Sequence, residues 1–167
     1  MGMTSRLYGY IDEAWPGAAA GGNPQKMQFL VARAREIEQH NEATLNALPA
    51  PDAWPPVSRD MFGWAPYDSH MVVYKNRPIH FAASLKEVDW NLGDWIEKFE
   101  RLLRTLYWEK ALVHFEGAYG DEHTFVWHPK REWVSRLCSG ILEPISEWER
   151  TSTMEESDLE QRRESAP

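Results

Sequence analysis

Residues 92–108 of this chain read LGDWIEKFERLLRTLYW, and their pattern is the strongest indication of fold in the sequence. Apolar side chains recur at the three- and four-residue spacing that places them on one face of an α-helix. Charged residues fill the opposite face, with acid-first pairs at i, i+4 such as Glu97–Arg101. The stretch therefore predicts an amphipathic helix over Leu92–Trp108, with Asp89 or Asn91 as its N-cap. The apolar positions are Leu92, Trp95, Ile96, Phe99, Leu102, Leu103, Leu106 and Tyr107.

A β-hairpin is predicted directly before this helix, from Ser69–Lys75 and Pro78–Ser84. Both stretches alternate between apolar and polar residues, as half-buried strands do. A turn at the two residues between them would place Val73 opposite His80 and would direct Ile79 into the core. His80 would then lie on the other, mixed face of the sheet.

The remaining elements follow from the same reasoning outward along the chain. A short strand is predicted over Arg6–Ile11 and a second hairpin from Lys110–Gly117 and Asp121–His128. A helix is predicted over Gln25–Ala47, because an Asn-Pro pair precedes a 3.6-residue apolar period. A last helix is predicted over Arg131–Arg150, or two shorter ones, since a glycine and a proline interrupt it. The proline-rich stretch between the first helix and the first hairpin is either an ordered loop or a disordered one.

The predicted order of elements is β-α-β-β-α-β-β-α. This order indicates an α+β fold, an antiparallel sheet with helices packed on one face, in which the first six elements form a ferredoxin-like variant. Another α+β arrangement with a different strand order is the alternative. We expect residues 1–149 to form a single α+β domain and residues 150–167 to form a disordered acidic tail, because that segment is polar and charged.

Composition excludes several classes of function. The 167 residues carry a formal net charge of −8, which argues against a protein that binds nucleic acid by neutralising phosphates. Cys138 is the single cysteine, so no intrachain disulfide is expected. No apolar run reaches the ~20 residues of a membrane span, and we expect a cytoplasmic protein without a membrane partner. No phosphate loop or nucleophile elbow is present, and no cofactor is predicted.

Nine tryptophans stand out in a chain of this length. Those in phase with helix faces, such as Trp95, are expected in the core. Others lie in predicted loops beside carboxylates, which suits either a protein-binding surface or lids over the core. The loop and turn residues that we predict to bind a partner are Asp12, Glu13, Trp15, Asp60, Trp64, Tyr67, Asp68, Glu116, Asp121 and Glu122.

Histidines support an alternative function. Most of the six histidines lie on or beside predicted strands, so some could converge on one sheet face and bind zinc. The alternative is therefore a small enzyme or metal-binding protein that uses the face around His80 and His114. No metal-ligand spacing supports it, and neither a metal site nor a catalytic residue is predicted. An adaptor or oligomerisation module is a third interpretation.

The run IHFAASLKEVDWNLGDWIEKFERLLRTLYWEKALVHFEG, from Ile79 to Gly117, carries a resemblance, together with SRDMFGW from Ser58 to Trp64. These segments resemble small bacterial immunity proteins encoded beside polymorphic toxins, and are most similar to the α+β group known as immunity protein 52. The toxins of that group are regarded as nucleases. The resemblance implies a cytoplasmic, non-enzymatic inhibitor in a polymorphic toxin system such as one using type VI secretion. It would bind one cognate protein toxin tightly by surface complementarity and would have no catalytic residues.

Overall fold

The computed structural model of the protein describes residues 4–16, 21–50, 52–64 and 77–164. These residues form an α+β fold, in which a six-stranded antiparallel sheet is accompanied by four α-helices. Short 3₁₀ turns precede two of the elements. The strands and helices are β1 (Thr4–Glu13), α1 (Pro24–Asn46), β2 (Phe62–Trp64), β3 (Pro78–Lys86), α2 (Leu92–Leu103), β4 (Trp108–Glu116), β5 (Glu122–Pro129), α3 (Arg131–Cys138), β6 (Trp148–Ser152) and α4 (Glu156–Glu164).

The strands lie side by side in the order β2-β3-β1-β4-β5-β6, and every neighbouring pair is antiparallel. β1 lies inside the sheet, where Leu7 pairs with Ala83 on one side and with Phe115 on the other. Because side chains alternate along a strand, the odd-numbered residues of β1 face the core and the even-numbered ones face away. Gly9 is an odd-numbered position at which a Cβ would overlap the backbone carbonyl of Leu112.

The helices and the inward face of the sheet share one hydrophobic core. The apolar stripe of α2 is buried as predicted, and Trp95 stacks on Phe99 with 5.2 Å between ring centroids. Trp108 and Trp127 reach the same core from β4 and β5 and are fully buried. Each of these buried indoles also donates a hydrogen bond. For example, the Trp127 Nε1 atom is 2.9 Å from a carboxylate oxygen of Glu100. The three indoles thus contribute apolar area without leaving their N–H donors unpaired.

α1 begins as predicted. The Asn23 side chain accepts a hydrogen bond of 3.1 Å from the backbone N–H of Lys26, and proline occupies the first turn. This cap satisfies one of the amide groups that a helix N-terminus leaves without an intrahelical partner. The second predicted hairpin is confirmed as β4 and β5, which pair in continuous register from Ala111–Trp127 to Glu116–Glu122.

The predicted pairing of the first hairpin is wrong. Its second strand exists as β3, and Ile79 faces the core as expected. However, His80 lies between Tyr10 of β1 and Gly63 of β2, so both of its backbone edges are already paired and Val73 cannot lie opposite it. The predicted first strand, residues 69–75, lies outside the described residues.

The boundaries of α2 also differ from the prediction. The helix ends at Leu103 rather than Trp108, and Trp108 is the first residue of β4. Neither proposed cap operates: Asn91 occupies the N-cap position without a capping hydrogen bond, and Asp89 is buried and bonded elsewhere. Periodicity alone could not show where the chain leaves the helix, because Leu106 continues the buried stripe beyond the helix end.

The last predicted helix is shorter than expected. α3 ends at Cys138, because Gly140 adopts a positive φ of 80° and closes a Schellman-type cap. In this cap the N–H of Ile141 donates to the carbonyl of Arg136 at 3.0 Å. No helix is found between this cap and residue 150 in the described structure, and Trp148 begins strand β6 rather than completing a helix face.

Residues 150–164 are not the disordered tail that their composition predicts. They complete β6 and form α4, and two apolar side chains among the polar ones reach the core. Met154 is 3% exposed and Leu159 is 5% exposed. Arg150 joins the segment to the rest of the molecule through Glu100 at 3.0 Å and Glu156 at 2.6 Å. This largely polar segment is ordered because its few apolar residues pack on a surface that the rest of the fold provides.

None of the helices in the described residues combines the length and the apolar character needed to cross a membrane.

Candidate functional site

One face of the sheet carries no helix among the described residues, and we call it the open face. It consists of the side chains that alternate with the core residues along each strand, and strand register places them side by side. Its members are Arg6, Tyr8, Tyr10, Asp12, Gly63, His80, Ala82, Ser84, Lys86, Lys110, Leu112, His114, Glu116, Glu122, Thr124, Val126, His128, Glu149 and Thr151.

The centre of the open face is aromatic and without formal charge when its histidines are neutral. Tyr8 is 40% exposed, and its ring lies 5.3 Å from that of His114 on the neighbouring strand. Ala82 lies directly opposite Tyr8 on the other side, and Tyr10 pairs in register with Leu112. An aromatic and apolar centre of this kind is typical of protein-binding surfaces.

Charged groups lie at the two ends of the open face. At one end Arg6 approaches Glu116 at 3.4 Å, and the Tyr8 hydroxyl donates a 2.9 Å hydrogen bond to the same carboxylate. This bond raises the pKa of Tyr8 above its ordinary value. Glu122 lies opposite Glu116 on β5, so this end carries two neighbouring carboxylates. At the other end Asp12 pairs in register with Lys110. The open face therefore has a charged rim around its aromatic centre.

His80 and His114 both lie on the open face. They lie on strands separated by β1, opposite Tyr10 and Tyr8 respectively. Their backbones are therefore two strand spacings of about 4.8 Å apart across the sheet and also two residues apart along it. His114 is hydrogen-bonded to the Thr124 hydroxyl at 2.8 Å. Within the described part of the chain, no three His, Cys, Asp or Glu side chains are grouped so that they could hold a metal ion.

The predicted partner-binding residues do not form one surface. Asp12, Glu13, Trp15 and Trp64 lie near one end of the sheet, while Glu116, Asp121 and Glu122 lie at the other end. The distance between these ends is about 20 Å, from the rise of some six residues along β1. Tyr67 and Asp68 lie outside the described residues.

Glu13 is a buried structural residue rather than a contact residue. It is 2% exposed, and Arg77 binds its carboxylate through two nitrogens at 2.7 and 3.2 Å. Asn41 of α1 donates a third hydrogen bond at 3.1 Å. Burial alone would lower the pKa of Arg77, but the bonds to Glu13 raise it above its ordinary value. The prediction that Glu13 contacts a partner is therefore wrong, because its carboxylate is hydrogen-bonded inside the protein.

The tryptophan beside this pair also has a structural role. Trp64 ends β2, packs against the core and lies under the Arg77 guanidinium, 5.7 Å from its ring centroid. Together with the exposed Asp60 and Arg59 it lines a groove of about 380 Å³ between β2 and the end of α1. Trp15 is half-buried just beyond β1. Replacement of Trp64 would therefore disturb the core as well as any contact surface.

A second concave feature, which we call the turn cleft, lies beside the β4–β5 turn. It has a volume of about 290 Å³ and is lined by Asp89, Trp90, Tyr119, Asp121 and Arg162. Sequence reasoning assigned only Asp121 to a site. The sequence pattern predicts that Asp89 caps a helix and that Arg162 lies in a disordered tail, so it does not indicate that these residues meet.

Asp121 of the turn cleft is held by α4. The guanidinium of Arg162 lies 2.5 Å from an Asp121 carboxylate oxygen, and His123 lies 3.5 Å from the same oxygen. Burial would raise the pKa of Asp121, but the bond and charge of Arg162 lower it below the ordinary value. Asp121 is thus a charged carboxylate at neutral pH.

No protein-family model, curated protein or solved structure matches this chain.

Proposed function

We propose that this chain is an immunity protein that binds a cognate secreted toxin through the open face of its sheet and neutralises the toxin by occlusion. The observation that carries the proposal is the anatomy of that face, an aromatic centre of Tyr8, Tyr10 and His114 within a charged rim. No described helix covers it. An exposed surface of this composition buries aromatic area in a complex and uses rim charges to orient the partner.

The class of partner comes from the resemblance to immunity proteins. The segment that carries it, residues 79–117, spans β3, α2 and β4, which build the centre of the sheet and the helix that supports it. A net charge of −8 suits a partner with a basic surface, and a nuclease has one because it binds nucleic acid. We propose that the protein acts in the cytoplasm of the toxin-producing cell, as part of a polymorphic toxin system, without a catalytic step of its own.

We further propose that β1 to β4 with α1 and α2 form a ferredoxin-like unit to which the C-terminal elements are added. The order β2-β3-β1-β4, with both helices on the core side, supports this assignment. In such a unit the face opposite the helices remains available for binding.

The test uses the protein encoded immediately upstream, if it carries a secretion-associated N-terminal region, as the toxin. Co-expression of the full chain should rescue cells that express the toxic C-terminal domain. Ala82→Arg places a long cation in the exposed centre of the open face and should weaken toxin binding by about 100-fold or more. Ala32→Arg makes the same change at an exposed position of α1 and should leave binding unchanged.

Absence of binding between the purified proteins would sink the proposal, as would equal affinity of the two arginine variants. The alternative of a metal-binding protein has its own signature. A metal-binding function would be favoured if zinc copurifies with the native chain and is absent from the double variant His80→Ala, His114→Ala. Both histidines lie on the open face.

A further inference from the structure

The turn cleft has the chemistry of a site for a basic side chain. Tyr119, at the tip of the β4–β5 turn, is 72% exposed, and Trp90 forms another wall of the cleft. Asp89 and Asp121 supply carboxylates to the same cleft. Aromatic rings and carboxylates around one concavity favour a cation, which the ring faces attract and the carboxylates bind through hydrogen bonds.

Carboxylates outnumber cations among the described side chains that line the cleft. Asp89 is 4% exposed, and its carboxylate accepts hydrogen bonds from the Ser5 hydroxyl and from the backbone N–H of Ala118 at 3.0 Å. Among the side chains that the structure describes, which do not include that of Arg163, no cation lies within ion-pair distance of the Asp89 carboxylate. Arg162 forms an ion pair with Asp121 and none with Asp89, so the described lining of the cleft has two carboxylates and one guanidinium. A buried carboxylate without a counter-charge is costly, and a second cation in the cleft would offset that cost.

The backbone of the turn brings the two carboxylates together. A Cβ on Gly117 would lie 2.9 Å from a carboxylate oxygen of Asp89 and closer still to one of Asp121. Both acids therefore converge on the same glycine, and the absence of a side chain there keeps them adjacent. Like charges held this close bind a shared cation more strongly than either would alone.

We propose that the turn cleft is the binding site for an arginine side chain of a partner protein, and that Arg162 fills part of it in the unbound chain. The guanidinium of Arg162 already binds one Asp121 carboxylate oxygen through a single terminal nitrogen, which shows that this cleft accepts a planar cation. A partner arginine would lie between Trp90 and Tyr119, where it could reach Asp89. The inference rests on the proposed function only for the identity of the protein that supplies this arginine.

The first experiment tests the cleft without any toxin. N-acetyl-arginine methylamide is titrated into the isotope-labelled full chain, and NMR follows the indole N–H of Trp90 and the amides of Tyr119 and Gly120. Arg162→Gln removes the internal guanidinium but keeps α4, and it should tighten probe binding about tenfold. N-acetyl-citrulline methylamide, which has the same shape without the charge, should not bind.

Two protein controls accompany this titration. Arg101→Gln removes an exposed arginine of α2 and should leave probe binding as in the wild type. Adding Asp121→Asn to the Arg162→Gln chain should abolish binding. The inference is overturned if the citrulline probe binds equally, if Arg162→Gln does not tighten binding, or if the shifts fall outside the cleft. If Arg162→Gln does not fold, the Tyr119→Ala variant provides the test, because Tyr119 is exposed and its replacement should not affect folding. The inference is overturned if this variant binds the arginine probe as tightly as the wild type does.

The second experiment separates this inference from the proposed function. In one outcome, the toxin binds the Tyr119→Ala variant as tightly as the wild type but does not bind the Ala82→Arg variant. This result supports the proposed function and shows that the cleft is not part of the toxin interface. The opposite pattern, probe binding as expected with no toxin binding, overturns the proposed function and keeps the cleft as a cation site.

Discussion

Burial separates neighbouring residues that the sequence places in one class. Asp12 and Glu13 are adjacent acids at the end of β1, and both are predicted to contact a partner. Alternation along the strand places Asp12 on the open face and Glu13 in the core, where Arg77 pairs with it. Carboxylates in this chain are therefore identified as contact residues only by their position in the sheet.

Glu38 provides a prediction at this scale. Burial raises the pKa of its carboxyl, the nearby Arg77 partly offsets this, and Glu13 adds to it. A raised pKa means that the folded state favours the protonated acid. Stability is therefore lost as the pH rises from the pKa of the carboxyl in the unfolded chain to its higher pKa in the folded protein. Glu38→Gln should therefore raise the free energy of unfolding at pH 7 by about 0.5 kcal/mol, after allowance for solvent screening, and the gain should vanish near pH 4.

Urea denaturation at the two pH values checks this expectation. Glu42→Gln is the control, because Glu42 lies 3.7 Å from the same Arg77 but its side chain is about half exposed. This change should not raise the free energy of unfolding. A Glu38→Gln chain that is less stable than wild type at pH 7 would contradict the argument.

At the scale of elements, the C-terminal segment depends on a few apolar contacts. α4 is short and almost entirely polar, and it would be marginal as an isolated helix. Leu159→Ala should lower the free energy of unfolding by about 2 kcal/mol, because it opens a cavity between α4 and the core. The neighbouring Glu160→Ala, at an exposed position, should change it by no more than about 0.5 kcal/mol. Equal denaturation midpoints for the two variants would mean that this segment is disordered in solution, as its composition suggests.

Elements defined by local patterns could be predicted, whereas those defined by distant contacts could not. The stripe of α2 and the cap of α1 depend on residues within a few positions of each other, and both are found. The short strand β2 pairs with β3 across the chain between residues 64 and 78, and the short strand β6 pairs with β5 across α3. The local sequence pattern predicts neither strand. The open face is predictable only in part. Alternation along a strand places Tyr8 and Tyr10 on one side of it, but only the structure shows that β3 and β4 are the neighbouring strands.

At the scale of the whole molecule, ion pairs should make stability fall in acid. Burial would raise the pKa of Asp52, but the Lys98 ammonium at 2.9 Å and the backbone N–H of Val57 lower this pKa below its ordinary value. Arg162 lowers the pKa of Asp121 in the same way. A carboxyl with a lowered pKa stabilises the folded protein fully at pH values above its pKa in the unfolded chain, about 3.8. This stabilisation is lost as the pH falls through the lower pKa of the folded protein. Each pair should contribute about 1 kcal/mol at pH 7.

The double variant Asp52→Asn, Asp121→Asn measures this contribution. It should be less stable than wild type at pH 7, and the difference should narrow steadily as the pH falls below 3.8 and the wild-type carboxyls take up protons. Thermal unfolding across this range provides the comparison, with Asp60→Asn as a control at an exposed carboxylate. A stability gap that does not narrow in acid would show that the pairs act through packing rather than charge.

The sequence by itself determined that α1 and α2 are helices, that β1, β3, β4 and β5 are strands, and which of their faces are apolar. These properties depend on neighbours within one or two turns. It also determined the net charge and the excess of tryptophan. Only the tertiary structure decided that β3 lies between β1 and β2, that residues 150–164 are ordered, and that Asp89, Asp121 and Arg162 meet at one turn. Those outcomes depend on contacts between residues far apart in the chain, and strand pairing and burial set them.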